Sequence, residues 1–94
     1  MAIIANRTST SAEVNTRIVG KHCETGDIVI RQISLASDVG PGDILAVPAT
    51  GAYGRSMASN YNHITRPAVV AVLDGKTRVI VRRESTEDLL SLEL

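Results

Sequence analysis

Short apolar runs broken by turn residues recur along this chain, a spacing that predicts strands rather than long helices. Residues 14–19 read as a strand. Residues 27–35 open with β-branched Ile28, Val29 and Ile30 and continue to Ile33, and apolar side chains on both faces predict a strand buried on two sides at its start. Asp38-Val39-Gly40-Pro41-Gly42-Asp43 is a turn, with proline presetting φ and glycine supplying positive φ. Residues 44–47, closed off by Pro48, read as a core strand. Before residue 14 no period is sustained: Ile3 and Ile4 give way to the polar run Asn6-Arg7-Thr8-Ser9-Thr10-Ser11. Residues 1–13 are therefore expected to be irregular or a cut end.

The period changes over residues 51–62. Tyr53, Met57 and Tyr61 recur at i, i+4 and i+8, which places them on one face of a short helix of two turns or so. Asn60, Tyr61 and Asn62 are poor helix formers and mark its end. Residues 67–73 and 76–82 are two β runs joined by Asp74-Gly75, a hairpin signal because a type I′ turn needs positive φ at both central positions. Val79 and Val81 alternate with Arg78, Ile80 and Arg82, so one side of the second strand is expected to be partly solvated. Ser85 or Thr86 can cap a last short helix that carries Glu87 and Asp88 in its first turn, with Leu89, Leu90 and Leu92 to dock it. The pattern adds up to four or five strands and two short helices: a mainly β domain, an incomplete β-barrel or sandwich. Its open edges imply that it belongs to something larger.

At 94 residues the chain makes one small domain, at the low end of independently stable sizes. Apolar residues make up 44%, yet there are two Tyr and no Phe or Trp, so the core must come from Val, Ile and Leu. Ten basic and ten acidic residues cancel, and no basic run exceeds Arg82-Arg83, which leaves nucleic-acid binding without an electrostatic footprint. One cysteine cannot form an intrachain disulfide. No signal-peptide pattern and no long apolar stretch are present, so the chain reads as a soluble cytoplasmic protein.

That cysteine lies in Gly20-Lys21-His22-Cys23-Glu24-Thr25-Gly26-Asp27, with an acid directly after it and a Gly-Asp pair that predicts a turn. Three readings compete. Cys23 can be a small buried hydrophobe in a tight turn. It can be a zinc ligand with His22 and His63, although adjacent residues rarely ligate one metal together and structural zinc wants four ligands at set spacings. Or it can be a positioned thiol that donates a proton or attacks a substrate.

Gly-Lys-His-Cys-Glu-Thr-Gly-Asp, followed by Thr50-Gly51-Ala52-Tyr53 and Ser56-Met57-Ala58-Ser59-Asn60-Tyr61-Asn62, resembles the C-terminal part of the bacterial diaminopimelate decarboxylases. The two motifs stand in the right order and at the right separation, and the resemblance runs from about Ile18 to the end of the chain. It implies a pyridoxal 5'-phosphate enzyme of alanine-racemase-like fold. A (β/α)₈ barrel carries the cofactor lysine and precedes a mainly β C-terminal domain. Active sites lie at a homodimer interface, where the C-terminal domain of one subunit lends residues to its neighbour. The barrel is absent from these residues, and so by implication are the first strand or strands of the β domain.

The resemblance makes Cys23 the catalytic residue. Decarboxylation of meso-2,6-diaminopimelate to L-lysine leaves an electron pair on carbon, delocalised into the cofactor, and a thiol can return the proton. Glu24 matches the residue that meets the far end of the substrate, where a carboxylate suits an ammonium group. Tyr53 matches a tyrosine that hydrogen-bonds the cofactor phosphate and lies near the substrate. Residues 56–62 are expected to form wall and dimer contact, with Tyr61 packing. Gly26 and Asp27 read as structural, one for the turn and the other for capping backbone donors or pairing with a base. No role falls to His22 or His63, and no metal is implied. Thr25 stands where the family commonly has serine, which keeps the hydroxyl.

Of the only two lysines, Lys76 falls in the hairpin turn and Lys21 adjoins the Cys23 turn, whereas a lysine that anchors the cofactor needs a desolvated pocket. The 94 residues alone are thus expected to be catalytically silent. Two other functions stay open: a non-catalytic β-rich binding or assembly module, and the same domain of an ornithine, arginine or carboxynorspermidine decarboxylase. An apolar patch is expected where barrel and partner subunit would sit.

Overall fold

The computed structural model describes all 94 residues, Met1–Leu94. It is mainly β, with six strands in three two-stranded antiparallel ribbons and two short helices, and no barrel closes. The chain falls into two compact units, Met1–Ser56 and Met57–Leu94.

In the first unit β1 (Ile3–Ile4) pairs with β4 (Leu45–Ala46), and β2 (Glu13–Val19) pairs with β3 (Ile28–Ala36). The β1 pairing was not legible in the sequence pattern, since two apolar residues carry no period. What holds it is polar. The Arg7 guanidinium grips the Asp43 carboxylate at 2.6 and 2.8 Å, and Asp38 at 3.1 Å through both its carboxylate and its backbone oxygen. Asn6 brackets the same turn, donating to Gly42 O at 3.2 Å and accepting from Ile44 N–H at 2.9 Å. The turn is as expected, with Pro41 followed by Gly42 at φ 94° and a bond from Asp43 N–H to Gly40 O.

β3 departs from the expected strand buried on two sides. Inward positions run Ile28, Ile30, then Ile33, Leu35, so the alternation slips by one residue at 31–32. A register shift falls at that place, and a second makes Val29 the extra residue opposite Ile18 and Val19. Bulges bend and twist a ribbon, and these two lie next to the turn that carries Cys23. Val29 is 51% exposed because no second layer covers its face. The expected core strand at 44–47 shortens to Leu45–Ala46, with Ile44 exposed.

The helix expected over 51–62 is shorter as well. α1 spans Gly51–Ser56, and Tyr61–His63 forms a separate 3-10 turn in which Asn62 and His63 both take positive φ, 54° and 58°. Tyr53, Met57 and Tyr61 therefore do not share one helical face. The i, i+4, i+8 spacing was real, but Ser59 and Asn60 spend their side chains on local backbone groups, which competes with helix.

In the second unit β5 (Val69–Leu73) and β6 (Lys76–Val81) form the expected hairpin, with Asp74 at φ 52° and Gly75 at φ 72° as a type I′ turn requires. Ile80 is the extra residue of a bulge. α2 (Thr86–Leu89) is capped by Ser85 in a full capping box: Ser85 Oγ accepts from Asp88 N–H, and the Asp88 carboxylate accepts from Ser85 N–H. Arg82 adds a two-pronged pair to Asp88 at 2.6 and 2.7 Å. A fourth carboxylate joins the strand ends. Glu84 Oε1 accepts from Arg66 N–H at 2.6 Å and Asn60 Nδ2 at 2.8 Å, while the Arg66 side chain donates to Glu84, Asn60 and Ala58 O.

Apolar burial is scant. Only Ala2 and Leu35 are buried hydrophobic residues, at 7% and 6% exposure, while Val14, Val19, Val70, Val72, Leu73, Val79 and Ile80 stand open on the ribbons. These side chains leave apolar surface uncovered along the ribbons. No helix is long and apolar enough to cross a membrane.

The Arg7 pair has a pH signature. The Arg7 guanidinium, and after it the Gly40 N–H, hold the Asp43 carboxyl down from 3.8 to about 2. As pH falls, the unfolded chain takes up this proton first, so the joint contributes fully above 3.8 and is lost as pH drops through about 2. Protection of the Ala5 amide, which bonds Ile44 O, measured against the unstructured exchange rate at the same pH, should fall over that interval. In Arg7→Met it should be low already at neutral pH, with much of the acid dependence gone.

Candidate functional site

Residues 20–27 link β2 to β3 and are folded around one carboxylate. Asp27 Oδ2 lies 2.9 Å from His22 N–H and 2.9 Å from His22 Nδ1. The base of the loop closes with Gly20 N–H to Asp27 O at 2.9 Å. Inside it, Glu24 N–H donates to His22 O at 2.8 Å and Asp27 N–H to Glu24 O at 3.2 Å. Asp27 thus does both things expected of it, capping a backbone donor and pairing with a base. The His22 backbone bond, then its ring, draws the Asp27 carboxyl below the ordinary range. An ionised carboxylate can only accept, so Nδ1 carries the hydrogen.

Gly26 lies in the turn as expected, and a second glycine of the loop is held more tightly. Gly26 does not take positive φ. A Cβ there would lie 2.8 Å from Glu24 Oε2, the movable end of a side chain. At Gly20 a Cβ would fall on the Asp27 carboxylate itself. Gly20 is therefore glycine because the loop's central acid occupies its side-chain space.

On this frame Cys23 and Glu24 are both exposed, which sets aside the buried-hydrophobe reading of the thiol. Tyr53 lies on a separate element of the same unit, α1, and is 78% exposed. α1 follows Ala49, whose φ is 60°, and its first turn closes with Gly54 N–H to Thr50 O at 2.8 Å. Lys21 and Lys76 are both exposed, so neither lies in a desolvated pocket. No three His, Cys, Asp or Glu side chains gather as a metal-binding group. Sequence reasoning gave His22 no role, whereas the structure makes it the partner of the central acid. The signal was there: a glycine, an imidazole and an acid at 20, 22 and 27 around the only cysteine.

Residues 1–51 match the family described as the pyridoxal-dependent decarboxylase C-terminal sheet domain. The chain belongs to this family. The match includes the Cys23 loop and stops short of Tyr53. Among curated relatives, the diaminopimelate decarboxylase of Mycobacterium tuberculosis strain H37Rv is 52% identical over 91 residues, covering 97% of this chain and 20% of the relative. That of Bacillus subtilis is 50% identical over 93 residues, covering 99% and 21%. A crystal structure of a Helicobacter pylori diaminopimelate decarboxylase mutant complexed with L-lysine superposes with a TM-score of 0.81 at 36% identity, over 99% of this chain and 22% of that one. The chain spans about a fifth of the length of the curated relatives it matches.

The loop geometry predicts unequal glycines. Gly20→Ala should drive a methyl into Asp27 and cost about 1–3 kcal/mol in urea unfolding of the polypeptide carrying this sequence. Gly26→Ala should cost less, because the Glu24 side chain can swing away.

Proposed function

We propose that these residues are the C-terminal sheet domain of a diaminopimelate decarboxylase and lend Cys23, Glu24 and Tyr53 to a composite active site. The observation that carries this reading is the Cys23-Glu24 pair, exposed on a loop whose backbone is tied down, in a chain about half identical to enzymes of that name. The names of those relatives favour diaminopimelate over ornithine, arginine or carboxynorspermidine as substrate. Open ribbon edges and uncovered apolar faces favour a domain docked on a barrel and a second subunit over a stand-alone module.

The residues fit pyridoxal phosphate in part. Exposed Tyr53 offers a neutral phenol donor to a phosphate oxygen, while the covalent anchor must come from a lysine outside these residues. When bound, the cofactor supplies the sink for the electron pair left on carbon as CO2 departs. Cys23 holds a proton on Sγ and delivers it to that carbon; the thiolate regains a proton from water. Glu24 takes the ammonium of the distal centre, which orients the substrate and selects a diamino diacid over a monoamine.

In the full-length enzyme Cys23→Ala should lower kcat about 10²- to 10⁴-fold, the usual worth of a positioned acid, with KM little changed. Glu24→Gln should instead raise KM for diaminopimelate roughly ten- to a hundredfold. Wild-type rates from Cys23→Ala would end the proton-donor assignment. The intact mass of the polypeptide in its source cells checks the domain reading, which requires a product heavier by a barrel of about 250 residues.

A further inference from the structure

We propose that His22 is a positioning residue for the thiol: its ring, tied to Asp27, fixes the direction in which Cys23 presents Sγ. The inference rests on Cys23 being the proton donor. One carboxylate oxygen holds His22 twice, at the main-chain N–H and at ring Nδ1, both at 2.9 Å. The residue before Cys23 is therefore fixed in backbone and side chain at once. The residue after it is fixed too, because Glu24 N–H returns to His22 O at 2.8 Å. Cys23 sits between two clamped neighbours, and both clamps run through His22. Gly20 leaves room for this, since any side chain there would displace the Asp27 carboxylate.

Such a double attachment exceeds what an exposed turn needs. The loop base is already closed by Gly20 N–H to Asp27 O and by Asp27 N–H to Glu24 O. The His22 ring adds control over the backbone angles next to Cys23. Proton return to one face of a carbon is sensitive to this, because a displacement of about 1 Å can cost 10²-fold in rate. His22 exchanges no proton with substrate in this scheme; Asp27 stays ionised and the ring serves as a strut.

The test uses the full-length decarboxylase turning over diaminopimelate in D2O. NMR of the lysine product reports on which face deuterium enters the carbon that lost CO2. His22→Ala should lower kcat about tenfold or more with KM nearly unchanged, and should give deuterium on both faces. His22→Asn, whose amide nitrogen sits one bond from Cγ as Nδ1 does, should restore rate and single-face delivery. His22→Gln, whose amide lies one bond further out, should restore neither. Should His22→Ala fail to fold or to bind the cofactor, the Asn and Gln variants decide: equal rate and facial purity in the two overturns the proposal. A His22→Ala enzyme with wild-type rate, or with reduced rate but one face still labelled, overturns it as well. Cys23→Ala in the same assay separates the two readings. If it keeps rate and facial purity, the proton-donor assignment fails and this inference falls with it. If only Cys23→Ala is impaired, the donor assignment stands and the positioning role alone is wrong.

Discussion

Scarcity of buried apolar surface is the constraint on which this structure turns. Two-stranded ribbons with one buried leucine between them have little hydrophobic force to define where each loop goes. Order at the joints comes instead from carboxylates, and four of them use the same arrangement. Asp27, Asp43, Glu84 and Asp88 each accept a backbone N–H together with a nitrogen from a basic side chain: His22, Arg7, Arg66 and Arg82 respectively. An exposed ion pair alone is worth little. A charge-assisted bond to the main chain adds direction, since it fixes a peptide plane rather than a flexible tip. Asp27 and Asp43 read from the sequence as turn residues and Asp88 as a first-turn helix residue, whereas Glu84 carries no local signal of its role.

Local signals are legible in the chain where one or two residues decide the geometry. Asp74-Gly75 needs two positive φ angles and has them; Pro41-Gly42 makes its turn; Ser85 caps α2. Signals that rely on period over longer spans did worse. The Tyr53, Met57, Tyr61 spacing promised one helix, yet Asn62 and His63 turn left-handed and break it. The alternation in β3 hides a one-residue slip, because a bulge leaves no mark in composition. β1 was missed because its pairing depends on Arg7 meeting Asp43 across 36 positions, a long-range event that no window contains.

The site shows the same division. Cys23 and Glu24 stood out by residue type and by resemblance, and the structure adds how they are held. The roles of Gly20 and His22 depend on a carboxylate arriving from the other end of the loop, so they become visible only once residues 20 and 27 are adjacent. The bulges in β3 belong to the same design: they place extra twist where the ribbon leads out of the Cys23 loop.

The Glu84 joint also bears on how such a sequence can drift. One of its donors, the Arg66 N–H, is main chain, present whatever side chain stands at 66 unless it is proline. Replacing the guanidinium removes one set of bonds and leaves that peptide bonded; replacing the acid strips Arg66 and Asn60 together. Tolerance at this joint is therefore lopsided: Glu84 is the fixed point, and the guanidinium at 66 is the partner whose loss leaves the peptide still held.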